Sequence, residues 1–272
     1  MSTIRRHPVL TFFLLAYALS WGAIPWQSFF APGVLVAALI VVFLTEGVAG
    51  LKDMGRRLIH WRVSWVWYVL ALAVPLVVKL VSIALNTALG APMPSIPEFA
   101  VWYGLPMAIA INIVNPMNAQ LPEESSFRGW AQPKLQATRT PLAATVLMAI
   151  GVTIWHIPLF LMPQFGSSPV EATATVAVTF WYAWLFNHAS GSSLLTLIAH
   201  AAEGTIETST LYQGQADGAR ITWVWCLVWC LVALGLLVFD RKFWTRPPAP
   251  VDASDRAATP ARSHVQTRQH AA

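Results

Sequence analysis

The sequence predicts an all-α polytopic membrane protein with about eight transmembrane helices around a polar cavity. Hydrophobic residues make up 56% of the 272-residue chain and charged residues 11%, whereas a soluble domain carries about 25% charged residues. Several apolar runs also reach the ~20 residues that cross a bilayer. The net charge of +5 does not indicate nucleic-acid binding, because the basic residues flank apolar runs and therefore report membrane orientation.

Eight apolar runs follow one another along the chain. They cover about Pro8–Trp26, Pro32–Leu51, Trp65–Leu89, Phe99–Leu121, Pro141–Met162, Val170–Phe186, Ser193–Tyr212 and Ile221–Phe239. The first run follows Arg5 and Arg6 but is long and is followed by further spans, so we expect a retained helix rather than a signal peptide. Residues 1–244 are predicted to form one membrane-embedded domain. The Pro- and Ala-rich segment 245–272 is predicted to be a disordered cytoplasmic tail.

The distribution of basic residues predicts the orientation of these spans. With the amino terminus in the cytoplasm, all Lys and Arg residues except Lys79 and Arg220 fall in cytoplasmic segments. Cytoplasmic connections carry such an excess of Lys and Arg in membrane proteins. We therefore expect a multi-pass plasma-membrane protein with both termini in the cytoplasm.

The two cysteines are predicted to have no chemical role. Cys226 and Cys230 lie four residues apart in the last apolar run, which is not the spacing of a CxxC motif. We expect buried, inert thiols. The sequence therefore indicates neither a disulfide framework nor a thiolate zinc site.

The most unusual charges of the chain lie just after the fourth run, where Glu123, Glu124 and Arg128 form a cluster. Charges at membrane depth are costly and usually mark a working site. Glu124 and Arg128 are four residues apart, so on a helix they can form an ion pair. Glu123 points about 100° away and is available to take a proton. The alternative is a salt-bridged helix face at the membrane boundary.

Two histidines interrupt later apolar runs. His156 can be a functional residue, or its imidazole can simply form a hydrogen bond with a neighbouring group of its own helix. His200, Glu203 and Glu207 share one helix face, which indicates a wet or metal-occupied interior. Imidazole and carboxylate ligands suit zinc or a similar divalent ion. The chain has no His-Glu-x-x-His sequence, so a zincin-type metalloprotease is not indicated.

The order and spacing of these motifs resemble the CPBP family, which contains the type II CAAX prenyl endopeptidases and bacterial bacteriocin-processing or immunity proteins. The resemblance covers roughly Pro116 to Glu207. It rests on the pattern Glu123-Glu124-x-x-Phe127-Arg128-Gly129, on the apolar helix with His156, and on a later helix that begins Gly191-Ser192-Ser193-Leu194-Leu195 and carries His200-Ala201-Ala202.

The resemblance implies an intramembrane (metallo)endopeptidase that acts on a hydrophobic or prenylated, CAAX-type substrate. Glu123 would be the general base that activates water, while Glu124 and Arg128 would fix the helix and the substrate. His156 and His200 would position the water or bind a metal, with zinc the first candidate. Glu203 is a further candidate ligand. Membrane lipids and a lipid-modified peptide or protein are the expected partners.

Two positions depart from the family pattern. The family usually has Phe four residues before the first histidine, where this chain has Val152. It usually has Asn or a similar polar residue four after the second histidine, where this chain has Gly204. Loss of one oxyanion donor can lower the rate by about 10²–10³. Asn187, Asn118 or the backbone near Gly204 are alternative donors, or the protein is a weak or inactive relative.

The first hypothesis is therefore a membrane-embedded endopeptidase. The second is a non-enzymatic scaffold or immunity factor that kept the fold, which Gly204 favours. The third is a transporter or proton-coupled carrier that uses four intramembrane charges: Glu46, Lys79, Glu203 and Glu207.

One geometric condition separates these hypotheses. A straight helix from Pro141 places His156 ~22 Å from the cytoplasmic face, whereas Glu123 is predicted close to that face. The two side chains meet only if the fourth helix extends past the motif or the fifth begins later. Pro116 and Pro122 are candidate kinks in the fourth helix.

Overall fold

A computed structural model describes residues 3–95, 102–205, 211–212 and 215–248. All regular secondary structure within these ranges is helical, which confirms the predicted all-α class. Glu207 and the predicted tail beyond residue 248 lie outside the described residues. The helices, in chain order, are α1 (Thr3–Arg6), α2 (Pro8–Trp21), α3 (Gly33–Leu58), α4 (Trp65–Ala88), α5 (Leu105–Val114), α6 (Gln120–Ser126), α7 (Gln132–Gln136), α8 (Pro141–Leu161), α9 (Glu171–His188), α10 (Ser193–Thr205), α11 (Gln215–Phe239) and α12 (Arg241–Thr245).

Five segments of the described chain are long and apolar enough to cross a bilayer, so the chain is a multi-pass membrane protein. The other three predicted runs correspond to α5, α9 and α10. Over the residues that the structure describes, these helices have 10, 18 and 13 residues and are not both long and apolar enough to be counted as spans. The five spanning segments are Pro8–Trp26, Gly33–Leu58, Trp65–Ala88, Pro141–Leu161 and Ala216–Phe239.

The fourth apolar run is not one helix from Phe99 to Leu121, as the sequence predicted. Helix α5 ends at Val114, and Asn115 has extended backbone angles (φ −86°, ψ 110°). Asn115 precedes Pro116, and a residue before proline is disfavoured in the α conformation. A new helix, α6, begins at Gln120. The acidic motif therefore starts a separate helix instead of ending the fourth run.

The continuous helical segment from Gln120 to Gln136, called the motif helix below, forms a hairpin with α8. This hairpin brings Glu123 alongside His156. Helix α6, a π-helical turn (Phe127–Ala131) and α7 follow without interruption up to Gln136, and α8 begins at Pro141. Glu123 lies about 20 Å before the end of α7, and His156 lies about 22 Å after the start of α8. The helical path therefore continues well past the motif, which is one of the two conditions under which the Glu123 and His156 side chains can meet.

Polar contacts fix the motif helix against α3. Trp130 Nε1 donates to Glu46 Oε1 at 2.7 Å, and Lys134 Nζ lies 3.1 Å from Glu46 Oε2. Arg57 Nη1 donates to the carbonyl oxygen of Gly129 at 3.1 Å. Glu46, a candidate transport residue in the sequence, therefore has a structural role in the described fold.

Aromatic side chains pack α2 and α8 around the π-helical turn. The Phe127 ring centroid lies 6.1 Å from that of Phe12 and 6.1 Å from that of Trp155. Trp155 Nε1 donates to Ser20 Oγ at 2.9 Å, so this buried indole is satisfied. Burial of this cluster holds the motif helix and the His156 helix in one fixed arrangement.

Candidate active site

Glu123, His156 and His200 line one internal cavity of about 190 Å³. They come from α6, α8 and α10 respectively. Glu123 is 2% exposed, although it lies beside this space. A polar cavity of this size has room for several water molecules. Three of the five residues that the sequence assigned to catalysis therefore reach one site, from helices that are far apart in the chain.

The Glu123 carboxylate and the His156 imidazole face each other without a direct hydrogen bond. Glu123 Oε1 lies 4.0 Å from His156 Nε2, which is beyond hydrogen-bond range. A single water molecule bridges such a separation readily. His156 Nδ1 lies 2.9 Å from the carbonyl oxygen of Val152. Because a carbonyl can only accept, Nδ1 carries a proton, and in the neutral form of the imidazole Nε2 is an acceptor.

Glu124 is the centre of a fully buried ionic cluster. Its side chain is 0% exposed, and its Oε1 lies 3.0 Å from Arg128 Nη1 and 3.0 Å from His200 Nδ1. The ion pair predicted from the four-residue spacing is therefore present. His200 Nδ1 donates to this carboxylate, so in the neutral form of the ring Nε2 is an acceptor. Both histidines of the cavity thus have their Nδ1 atoms engaged in the same way.

Glu203 also lines the cavity, but its carboxylate is already occupied. Lys79 Nζ lies 3.1 Å from Glu203 Oε1, and Trp225 Nε1 donates to the same oxygen at 3.2 Å. The Lys79 ammonium also lies 4.4 Å from the Trp225 ring centroid. These contacts join α4, α10 and α11 and neutralise Glu203.

The cavity side chains do not form a zinc site with three protein ligands. The candidate ligands were His156, His200 and Glu203, and Glu203 is paired with Lys79. Among the described residues, no three His, Cys, Asp or Glu side chains come together closely enough to hold a metal ion. Catalytic zinc sites usually supply three protein ligands.

The space beside Gly204 is filled by another side chain. A Cβ atom at residue 204 would lie 2.7 Å from Gln120 Nε2. The two asparagines suggested as replacement donors are not among the described residues that line the cavity. Asn118 donates to Asn112 Oδ1 at 2.5 Å, and Asn187 donates to a carbonyl of its own helix at 2.7 Å. The polar group next to Gly204 is therefore the Gln120 amide.

Tyr182 is a cavity residue that the sequence did not indicate. It is 3% exposed, and its Oη has no hydrogen-bond partner among the described residues. Its ring centroid lies 5.2 Å from that of His200 and 5.0 Å from the Arg128 guanidinium. A buried polar atom without a partner is rare. Tyr182 lies in an ordinary aromatic stretch of α9, so no local pattern singles it out.

Arg128 has unused donors at the same cavity. Its Nη1 bonds Glu124, whereas Nε and Nη2 are buried without a hydrogen-bond partner in the described part of the chain. Arg128 and Tyr182 both line the cavity, and together they carry three buried donor atoms that have no partner among the described residues. Such an arrangement is suited to binding a developing oxyanion.

A comparison with protein families matches this region of the chain. Residues 101–205 match the model of the family described as Type II CAAX prenyl endopeptidase Rce1-like. The matched segment is less than half of the chain, but it contains all five residues assigned to catalysis: Glu123, Glu124, Arg128, His156 and His200. A search of curated proteins found no match. The match over residues 101–205 thus supports the resemblance to the CPBP family that the order and spacing of the motifs indicate.

Proposed function

We propose that the protein is an intramembrane endopeptidase that hydrolyses a peptide bond near the membrane in a hydrophobic or prenylated, CAAX-type substrate. The observation that carries the proposal is the buried Glu123 carboxylate, 4.0 Å from His156 Nε2 in a cavity that His200 also lines. The family match supports the same class of reaction. Cleavage of a prenylated peptide by the purified protein in proteoliposomes tests it.

In the proposed reaction Glu123 acts as the general base. A water molecule between Glu123 and His156 donates one hydrogen bond to the carboxylate and one to Nε2. As its oxygen attacks the carbonyl carbon of the substrate, Glu123 takes its proton. The carbonyl electron pair moves onto oxygen and returns when the C–N bond breaks, and Glu123 gives the proton to the leaving amine. The products are a carboxylic acid and an amine.

The buried cluster of Glu124, Arg128 and His200 has a positioning role in this proposal. Glu124 holds the His200 ring through Nδ1 and the Arg128 guanidinium through Nη1. Gly204 has no side chain that could stabilise the oxyanion. In the proposed reaction Tyr182 Oη and the unpartnered N–H groups of Arg128 stabilise it instead. Electrostatic stabilisation of this kind is strong because the donors are buried and fixed in place before the reaction.

Tyr182→Phe is expected to lower kcat by about 10²-fold, with KM within about twofold, because one oxyanion donor is lost. Steady-state cleavage of a prenylated peptide measures both constants. Tyr212→Phe is a matched control, because the Tyr212 hydroxyl is also buried without a partner among the described residues but lies away from the cavity. Equal rates for Tyr182→Phe and the unchanged protein would exclude the hydroxyl as a donor.

Metal dependence stays a prediction, with zinc the first candidate and the two histidine Nε2 atoms as the available ligands. If a metal is required, dialysis against a chelator removes the activity, and added zinc restores it. Elemental analysis of the purified protein gives an independent readout. Full activity after chelation, with no bound metal, would contradict the requirement.

We also propose eight spans with both termini in the cytoplasm of a plasma-membrane protein. The distribution of Lys and Arg supports this orientation, although Arg128 is buried and does not count as a loop charge. In a variant without Cys226 and Cys230, Met93→Cys is expected to react with a membrane-impermeant thiol reagent in intact cells. Arg62→Cys is expected to react only after the membrane is opened. The reverse labelling pattern contradicts the orientation.

A further inference from the structure

A second cavity, an apolar groove of about 660 Å³, lies between α2 and α8. It is larger than the active-site cavity and shares no lining residue with it. Its walls include Leu10 and Leu14 of α2, each 58% exposed, and Leu147 and Ile150 of α8, 41% and 52% exposed. In a membrane protein such exposed apolar side chains face lipid. The groove is therefore open to the bilayer.

One end of this groove is basic. Arg6, Lys134 and Arg139 line it together with His7, and no acidic residue is among the described lining residues. Arg6 and Arg139 are exposed, whereas Lys134 also pairs with Glu46. The lining thus combines a cationic mouth with an apolar body.

The basic mouth lies at one end because α2 and α8 run parallel. Tyr17 Oη donates to the Gly151 carbonyl at 2.9 Å, and one turn further on Trp21 Nε1 donates to the Trp155 carbonyl at 3.0 Å. The groove extends from Arg6, at the end of α1, to Tyr17 on α2. Its apolar part, from Pro8 to Tyr17, is about 14 Å long. One leaflet of the hydrocarbon core is about 15 Å thick, so the groove has the depth of one acyl chain.

We propose that this groove binds an anionic phospholipid, with its phosphate on Arg6, Arg139 and Lys134 and one acyl chain along α2 and α8. Guanidinium groups bind phosphate oxygens in bidentate geometry. Basic residues next to a membrane span also attract anionic lipids. A zwitterionic lipid is expected to bind more weakly, because the described lining residues include no carboxylate that could pair with its ammonium group. Free phosphate is also expected to bind more weakly, because it has no acyl chain to contact the apolar walls of the groove.

Binding at this groove would stabilise the contact between α2 and α8. The Phe13 ring lines the groove, and its centroid lies 6.0 Å from that of Phe127 on the motif helix. The proposal does not depend on the proposed protease activity. Lipid retention is therefore measured on the intact protein without any substrate.

The test is native mass spectrometry of the full-length protein in detergent with phosphatidylglycerol or phosphatidylcholine added. We expect at least fivefold higher retention of phosphatidylglycerol. Arg6→Gln/Arg139→Gln should reduce this retention to the phosphatidylcholine level. The control pair Arg241→Gln/Lys242→Gln, which removes two exposed charges next to another span, should leave it unchanged.

A second variant tests the apolar part of the groove. Leu147→Trp fills the space between α2 and α8 without changing a charge, and it should lower retention of phosphatidylglycerol by at least threefold. Equal retention of both lipids by the unchanged protein overturns the proposal. The proposal is also overturned if the control pair Arg241→Gln/Lys242→Gln loses as much phosphatidylglycerol as Arg6→Gln/Arg139→Gln. The same holds if millimolar inorganic phosphate displaces the bound phosphatidylglycerol.

Discussion

Glu123→Gln is expected to abolish cleavage, with kcat at least about 10³-fold lower, because the amide cannot take a proton from water. Glutamine has nearly the same shape as glutamate, and Glu123 is 2% exposed beside a cavity. The variant should therefore insert and fold normally. Mass spectrometry of a prenylated peptide incubated with proteoliposomes measures the loss, and size-exclusion chromatography checks the fold.

Glu171→Gln is the matched control for this experiment. Glu171 also lines the cavity, but its Oε1 accepts the backbone N–H of Ser168 at 2.7 Å, at the start of α9. We expect kcat within about threefold and a loss of stability of about 1 kcal/mol, as for other helix-start contacts. A rate loss in Glu171→Gln equal to that in Glu123→Gln would mean that negative charge in the cavity matters, and not the base at Glu123.

Other outcomes would favour the remaining hypotheses. Unchanged cleavage by Glu123→Gln, His156→Ala and His200→Ala would exclude this cavity as a protease site. If Glu123→Gln loses cleavage while cells keep the phenotype of the unchanged protein, a scaffold or immunity factor is favoured. The environment of Gly204 is compatible with such a catalytically weak relative. Solute flux that survives Glu123→Gln would favour a transporter.

The features that the sequence predicted correctly depend on local periodicity. The pair Glu124 and Arg128 follows from the four-residue repeat of a helix face, and it is present at 3.0 Å. The five spanning segments follow from length and apolarity alone. The order of Glu123, His156 and His200 along the chain also carried the family resemblance. None of these inferences needed to know which helices are neighbours.

The features that were missed depend on contacts between distant helices. Lys79 neutralises Glu203 from α4, and the Gln120 side chain fills the space beside Gly204. The break after Val114 had a local signal in Pro116, but its consequence for the depth of Glu123 depended on the hairpin with α8. Tyr182 gains its place beside His200 through packing of α9, which a pattern of aromatic residues does not specify.

Glu124→Gln is expected to be strongly destabilising, by about 3–5 kcal/mol, because it leaves the Arg128 guanidinium buried without a countercharge. Arg128 is 2% exposed, and its Nη1 lies 3.0 Å from Glu124 Oε1. Arg128→Met should cost a similar amount, because the Glu124 carboxylate is then buried without the Arg128 countercharge, with His200 and Thr196 as its remaining partners. Heating in detergent followed by size-exclusion chromatography gives the midpoint of unfolding for each variant.

The double variant Glu124→Gln/Arg128→Met separates charge burial from packing. Removing both charges should restore most of the stability, because a buried ion pair contributes little net free energy compared with uncharged groups of similar volume. The exposed pair of Asp53 and Arg56, three residues apart on α3, is the matched control. Asp53→Asn should change stability by less than about 1 kcal/mol.

If the two single substitutions add in the double variant, the pair does not act as a unit and this account of Glu124 is wrong. Recovery of stability without full recovery of kcat is the expected result. The amide that replaces the Glu124 carboxylate in the double variant still accepts a hydrogen bond from His200, but the Arg128 donors at the cavity are gone. That result would mean that Glu124 and Arg128 stabilise the fold by neutralising each other, and that the Arg128 guanidinium also contributes to the reaction.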